Sequence, residues 1–280
     1  IKGSNYLTPI NYLEDKGSSQ CKSSVMLAAL LTPGETQLKC KPSRNHTELL
    51  FKYLKIPIKI KKRKNFDIIK IKGKQNFKSF NYNIPSDISS SAFFIVLTLL
   101  SKDSRLIIKK VGVNKSRTGI INILNKMGAK IVLKNKKNYK GEKIADIHVK
   151  SSKSLKAINC PNKFNSSAID EFLIIFLVAA KAKGISYFKD LSELNQKESP
   201  RLEWGARILK EIGIKTIVTK SSIKIFGNPN IKVNKKIIIR NYLKDHRVFM
   251  TSVIAALTFG GDWKIYDKDS IKTSFPNFLK

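Results

Sequence analysis

Residues 90–111 read SSAFFIVLTLLSKDSRLIIKKV: a Ser-rich start, an apolar run, a short polar turn, then a strand-like stretch. The apolar run covers every face of a helical turn rather than one stripe, so it predicts a helix packed on all sides. The same order recurs in residues 23–40 (SSVMLAALLTPGETQLKC), 170–191 (DEFLIIFLVAAKAKGISYFKDL) and 248–267 (VFMTSVIAALTFGGDWKIYD). A spacing of about 65–80 residues between copies is the signature of an internal repeat. Behind each of the first three copies lies a second half, in residues 47–73, 118–151 and 201–227. It consists of a polar loop, an amphipathic helix, a Gly or Pro break and a basic two-stranded hairpin. In the middle copy Ile120, Ile121, Ile123, Leu124 and Met127 form a stripe at helical spacing, and Gly128 is placed to end that helix. Each repeat therefore reads βαβαββ, in an α/β chain with buried helices inside and sheets outside. Pro85 to Asp87 reads as a domain join, dividing the chain into 1–84 and 85–280.

The opening residues, Ile1 to Ser4, read like the middle of a folded element, and the fourth copy stops at Lys280. An incomplete piece of a longer protein is expected. The chain has 280 residues, 42% of them apolar, enough for a sizeable core. Its longest apolar runs are too short to cross a bilayer, and a soluble protein is expected. The formal charge of +34 points first to nucleic acid. Yet 46 of the 54 basic residues are Lys, and they scatter over every hairpin and helix face. Lys, Asn, Ile and Phe share A/T-rich codons, so genome composition accounts for much of the charge. A solvated Lys-rich surface is the reading, one that still attracts small anions. Cys21, Cys40 and Cys160 lack ligand spacing and suit a reduced compartment; His46, His148 and His246 do not cluster, and nothing argues for a metal.

Unusual polar residues gather in loops directly before helices. Before the apolar helices stand 18–20, 86–87, 170–171 and 245–247; before the amphipathic ones stand 43–47, 114–118, 197–201 and 272–274. Helix N-termini carry unpaired N–H groups and partial positive charge, so they take phosphates and carboxylates, and neighbouring Arg adds a two-pronged grip. If the repeats are equivalent in space, these loops converge on a site for a multiply anionic substrate. Bland readings compete. Ser90, Ser166 and Thr118 read alone are helix N-caps, and Pro200 suits the first helical position. Residues 114–117 fix a turn, 170–171 complement a helix dipole, and 197–201 form a solvated turn. Asp245, His246 and Arg247 resist this treatment, because three polar groups beside a buried helix are costly unless paired or used.

Ten short stretches carry a family resemblance: SSQCKS (18–23), SRNHTE (43–48), SDISSSAFF (86–94), VGVNKSRTG (111–119), MGA (127–129), ADIHV (145–149), IDEF (169–172), ELNQKESPRL (193–202), DHR (245–247) and TSFP (273–276). In that order they resemble the 5-enolpyruvylshikimate-3-phosphate synthases over all 280 residues. The resemblance implies tandem βαβαββ repeats of the enolpyruvyl transferase fold, an inside-out α/β barrel in two domains that close on substrate. Residues 1–84 would be the remainder of an incomplete first domain and 85–280 the second. The implied reaction moves the enolpyruvyl group of phosphoenolpyruvate to the 5-hydroxyl of shikimate 3-phosphate and releases phosphate, in aromatic amino-acid biosynthesis.

By the same resemblance, Ser18, Ser19, Gln20, Ser43 and Arg44 bind shikimate 3-phosphate, with Gln20 also touching phosphoenolpyruvate. Asp170 is the base for the 5-hydroxyl, Lys197 binds the shikimate side, and Glu198 is the acid/base at the methylene carbon. Arg201, Arg247 and Lys272 hold phosphoenolpyruvate. The family's first third, which supplies further ligands, has no counterpart among these residues, so the isolated piece is expected to be inactive. No cofactor or metal, no nucleic acid and no membrane are implied; the full-length enzyme is expected to be a cytoplasmic monomer. Departures from the family pattern are Ser19 for Ala, Asn45 for Asp, Ser86 for Gly, Asn195-Gln196 for Arg-Val and Pro200 for Asp. The alternatives are a UDP-N-acetylglucosamine enolpyruvyl transferase, whose motifs and reactive Cys loop have no match, and a basic RNA-binding or RNA-processing protein on a related fold.

Overall fold

The structure, a computed structural model, describes residues 6–280; the expectation for Ile1 to Ser4 lies outside them. The chain forms two compact units. One takes the residues up to Ile84 together with Lys137–Ile144, the other Pro85–Lys136 and Ala145–Lys280.

The first unit holds one whole repeat: β1 (Asn11–Glu14), α1 (Ser19–Leu31), β2 (Glu35–Cys40), α2 (His46–Tyr53), β3 (Ile58–Lys62) and β4 (Asp67–Lys72). Its sheet runs β1-β2-β4-β3, with β1 parallel to β2 and the remaining pairs antiparallel. Alternation buries Leu38, Cys40, Ile69 and Ile71 against Met26, Ala29 and Phe51 of the helices. One expectation fails here. Only Lys22, Met26 and Ala29 of α1 are buried, while Leu27 and Leu31 are 53% and 71% exposed. Among the described residues this helix rests on its sheet by one face only, whereas its counterparts in the second unit pack against one another.

The second repeat runs α3 (Ile88–Leu100), β5 (Arg105–Gly112), α4 (Gly119–Lys126), β6 (Ile131–Tyr139) and β7 (Glu142–Lys150). The third runs α5 (Asn165–Ala168), α6 (Phe172–Lys181), β8 (Gly184–Phe188), α7 (Arg201–Ile212), β9 (Thr216–Val218) and β10 (Ile223–Gly227). The fourth is β11 (Lys236–Ile239), α8 (His246–Phe259) and β12 (Asp262–Ile265). The sheet orders β5-β7-β6 and β8-β10-β9 repeat the β2-β4-β3 arrangement, and β11 lies parallel to β12 as β1 does to β2. In the two middle repeats the first strand shrinks to parallel bridges, Ser86 to Val111, and Lys156 to Lys183 with Asn159 to Tyr187. Pro85 and Pro161 beside them lack the N–H a ladder needs.

Helices α3, α6 and α8 form the core of the second unit. Every residue of α6 from Phe172 to Ala180 is buried, and Phe172, Phe176 and Phe188 pack ring to ring at 5.3–6.0 Å. Each large apolar side chain so buried contributes about 1.5–3 kcal/mol. Gly128, at φ +92°, ends α4 as expected. The hairpin ends close onto the ends of the apolar helices: a Cβ on Gly227 would lie 2.1 Å from the Ala182 carbonyl oxygen after α6, and, in the first unit, one on Gly73 would lie 1.8 Å from that of Thr32 after α1. Repeat-equivalent strand ends thus share one constraint on residue size.

Candidate active site

In the second unit three loops before helices meet at one guanidinium. Arg201, the first residue of α7, is 2% exposed. Its Nε donates to Asp245 Oδ2 at 2.8 Å and its Nη2 to Asp245 Oδ1 at 3.3 Å, a two-pronged grip. The same guanidinium reaches Glu198 and lies 3.5 Å from Asp170 Oδ1. Asp245 has no exposed surface; it also accepts from Ser199 Oγ at 2.8 Å and caps α8 by accepting from the Arg247 N–H at 2.9 Å. Burial alone would raise its pKa, but the hydrogen bond and charge of Arg201 outweigh that and hold Asp245 ionised, below its ordinary value. Of the three polar groups before α8, the cost of burying Asp245 is met by pairing.

Arg247 completes the cluster. Its Nη1 donates to the Asp170 backbone carbonyl at 2.9 Å, and its guanidinium lies 3.9 Å from both the Asp170 and Glu171 carboxylates. Glu171 is buried and accepts from Ser89 Oγ at 2.5 Å; burial pushes its pKa up. Ser89 in turn accepts from Arg117 Nη2 at 2.7 Å, and Arg117 pairs with Asp87 at 2.8 Å, whose carboxylate caps α3. The stretches 86–94, 111–119, 169–172 and 245–247 are thus joined in one chain of contacts. Residues 114–117 do form a turn, closed by Asn114 Oδ1, but Arg117 leaves it to bind elsewhere.

Lys197 and Lys272 lie outside this cluster of contacts. Lys197 pairs with Glu193 at 2.7 Å, and Lys272, with a side chain 72% exposed, pairs with Asp269 at 2.8 Å. The simple capping expectations change as well. Asp87, not Ser90, caps α3; Ser166 lies inside α5; Thr118 precedes α4 without a side-chain capping bond. Pro200 directly precedes α7 and has no capping oxygen, and Asn195 Oδ1 accepts from the Leu202 N–H at 3.1 Å instead.

In the first unit the loop before α1 is held by a group that sequence reading passed over. Buried Glu14 accepts the N–H groups of Lys16, Gly17 and Ser18 at 3.0, 3.0 and 2.9 Å. Ser18 Oγ then caps α1 by accepting from the Cys21 N–H at 3.2 Å, and Ser19 Oγ donates to Gln20 Oε1 at 3.4 Å. Lys22, 1% exposed, donates to Glu48 Oε1 and to the Arg44 carbonyl oxygen, both at 2.7 Å. Ser23 and Thr47 share a hydrogen bond at 2.7 Å. The 18–20 and 43–44 loops are thereby tied together. Ser43 Oγ is buried without a hydrogen-bond partner.

Among the described residues no group of three His, Cys, Asp or Glu could hold a metal, and no helix is long and apolar enough to cross a membrane. The second-unit cluster can do two things. Its fixed guanidinium charge stabilises an anion, and the carboxylates beside it can carry protons.

The repeated βαβαββ topology with its polar helix starts is that of the enolpyruvyl transferases. A solved member, the enolpyruvyl transferase NikO from Streptomyces tendae, superposes with a TM-score of 0.74 over 99% of this chain and 63% of its own, at 16% identity. The family model described as EPSP synthase (3-phosphoshikimate 1-carboxyvinyltransferase) matches residues 1–280, and the chain belongs to that family. It is 39% identical to the 3-phosphoshikimate 1-carboxyvinyltransferase of Ruthia magnifica subsp. Calyptogena magnifica, over all of this chain and 63% of the relative. The solved EPSP synthase of Acinetobacter baumannii is 35% identical, with a TM-score of 0.87 over 98% of this chain and 61% of that one. The chain thus spans about three-fifths of the length of the relatives it matches.

Proposed function

We propose that the protein transfers the enolpyruvyl group of phosphoenolpyruvate to the 5-hydroxyl of shikimate 3-phosphate. What supports this beyond family membership is the junction at Arg201, where two carboxylates of opposite exposure share one immobilised cation. Asp170, with a side chain 15% exposed, takes the proton of the 5-hydroxyl, while Glu198, 53% exposed, delivers a proton to the methylene carbon. Protonation leaves a cation-like C2, the 5-oxygen adds there, and a tetrahedral intermediate forms. Loss of a proton from the methyl carbon and of phosphate from C2 then regenerates the double bond. Arg201, Arg247 and Lys272 neutralise the carboxylate and the departing phosphate, a role that fixed cations perform without reorganisation. Ser18, Ser19, Gln20, Ser43, Arg44 and Lys197 bind the phosphorylated ring, and Gln20 also contacts phosphoenolpyruvate.

The two compact units correspond, in this reading, to parts of the family's two domains. The enzyme is cytoplasmic and monomeric and uses no metal or organic cofactor. Nucleic acid is not a partner: the Lys excess is a solvated surface that draws small anions toward the protein.

The test is phosphate release by the full-length protein. Release is expected only when shikimate 3-phosphate and phosphoenolpyruvate are both present. Release from phosphoenolpyruvate alone, or none with both, defeats the reading.

A further inference from the structure

The ion pair between Lys22 and Glu48 is buried inside the first unit. Both groups lie below 5% exposure, and moving each ion out of water carries a desolvation penalty. An apolar pair of similar volume would commonly stabilise a fold as well or better, so stability alone gives no reason for this one. Its geometry suggests what the pair does instead. Lys22 belongs to the start of α1, directly after the Ser18–Gln20 loop. Its ammonium divides its bonds between Glu48, on the first turn of α2, and the backbone carbonyl of Arg44, before that helix. One cation therefore bridges the two loops. Ser23 and Thr47 brace the same helix starts with their hydroxyls.

Three buried side-chain oxygens and nitrogens between residues 43 and 48 have no hydrogen-bond partner: Ser43 Oγ, His46 Nε2 and Glu48 Oε2. Such atoms are few in a folded protein and mark places where a ligand or solvent completes the network. Ser43 adjoins Arg44, whose carbonyl Lys22 holds.

We propose that Lys22 is a positioning residue for the phosphorylated ring, fixing the 43–44 loop against the 18–20 loop so that both address the same anion. The inference rests on the reading that these loops bind shikimate 3-phosphate. Lys22 is buried and spends its bonds on the protein, so it acts through Ser43 and Arg44 and does not touch the ligand. A loop allowed to drift by about an ångström loses ligand contacts without losing the fold.

The experiment compares the full-length wild type with Lys22→Met/Glu48→Leu, which removes both charges, and with Glu48→Gln, which keeps an oxygen for Lys22. Initial rates are measured over both substrates, alongside thermal melting. The expected result for the double variant is a KM for shikimate 3-phosphate raised about tenfold or more, with kcat and the KM for phosphoenolpyruvate changed less than about threefold. Glu48→Gln gives a smaller rise in the same constant and keeps the test open should the double variant fail to fold. A folded variant with the wild-type KM for shikimate 3-phosphate overturns the inference alone. So does a parallel loss in all three constants, the mark of a merely structural role. A wild type that does not turn over with both substrates present overturns the underlying functional reading and this inference with it.

Discussion

Replacing Asp245 by Asn tests the junction from which the second-unit site is built. The substitution keeps shape and removes charge. Native Asp245 accepts four hydrogen bonds, from Ser199 Oγ, twice from Arg201 and once from the Arg247 N–H, with no exposed surface. The two bonds from Arg201 are charge-assisted, at about 1.5–3 kcal/mol each, and an amide can accept at most part of the set while aiming a donor at donors. Breaking a buried pair by removing one partner costs about 3–5 kcal/mol, in agreement with that sum. Asp170 and Glu198 still face Arg201 and keep the loss toward the lower end. For a unit of roughly 190 residues, at about 2–4 °C per kcal/mol, a loss of about 3 kcal/mol should lower the melting temperature by about 6–12 °C at pH 7.

The pH dependence carries the sign. Arg201 holds the Asp245 pKa below its unfolded value, so the folded state binds this proton less readily than the unfolded state. The contribution is complete above the ordinary value of about 4 and is lost as pH falls through the lower folded value. Calorimetric melting of both proteins from pH 7 down to pH 2 should show a gap that narrows only below about pH 4. A gap under about 1 kcal/mol at pH 7, or one that does not narrow in acid, refutes the claim that ionised Asp245 holds Arg201.

Three further outcomes follow from the same geometry. Asp170→Asn and Glu198→Gln should each lower phosphate release at least about a hundredfold while melting near the wild type, because each removes a carboxylate proposed to carry a proton; wild-type turnover in either cancels that role. Iodoacetamide at neutral pH should label Cys21 alone, since Cys21 is exposed while burial pushes Cys40 and Cys160 up to about 11; mass spectrometry reads this, and labelling should weaken shikimate 3-phosphate binding beside Gln20. Gly227→Ala should destabilise by about 1–3 kcal/mol or more, since the new methyl would face the Ala182 carbonyl at 2.1 Å; an unchanged melting temperature contradicts the close approach.

The buried helices α3, α6 and α8 were legible because a segment apolar on every face can satisfy itself only inside a core. The same reasoning misjudged α1, since composition states what a helix tolerates and not what covers it. The hairpins and the end of α4 at Gly128 followed from local chemistry. The reduced first strands of the middle repeats did not, because proline near Ser86 and Asn159 weakens a ladder whose register depends on distant partners.

At the site, motifs picked out Asp170, Glu198, Arg201 and Arg247, which do meet. The arithmetic of buried charge marked Asp245 and Arg247 as requiring partners, and they have them, but it did not show that Asp245 would grip Arg201, 44 positions away. Glu14, Lys22 and Glu171 gave even less sign of themselves. Lys22 and Glu171 lie inside quoted motifs but were given no binding or catalytic role, Glu14 lies outside them, and the meaning of all three is in contacts that only the fold creates. Lys197, within a motif, and Lys272, beside one, were also singled out, yet they pair with Glu193 and Asp269, carboxylates four and three positions away in sequence.

The central claim is that the Arg201 junction serves enolpyruvyl transfer, in which the bond broken is between carbon and oxygen. Phosphoenolpyruvate carrying oxygen-18 in its bridging position, turned over by the full-length protein with shikimate 3-phosphate, tests this directly. The account predicts that mass spectrometry finds the label in the released phosphate. Label retained in pyruvate or another carbon product, with phosphorus–oxygen cleavage, would contradict it.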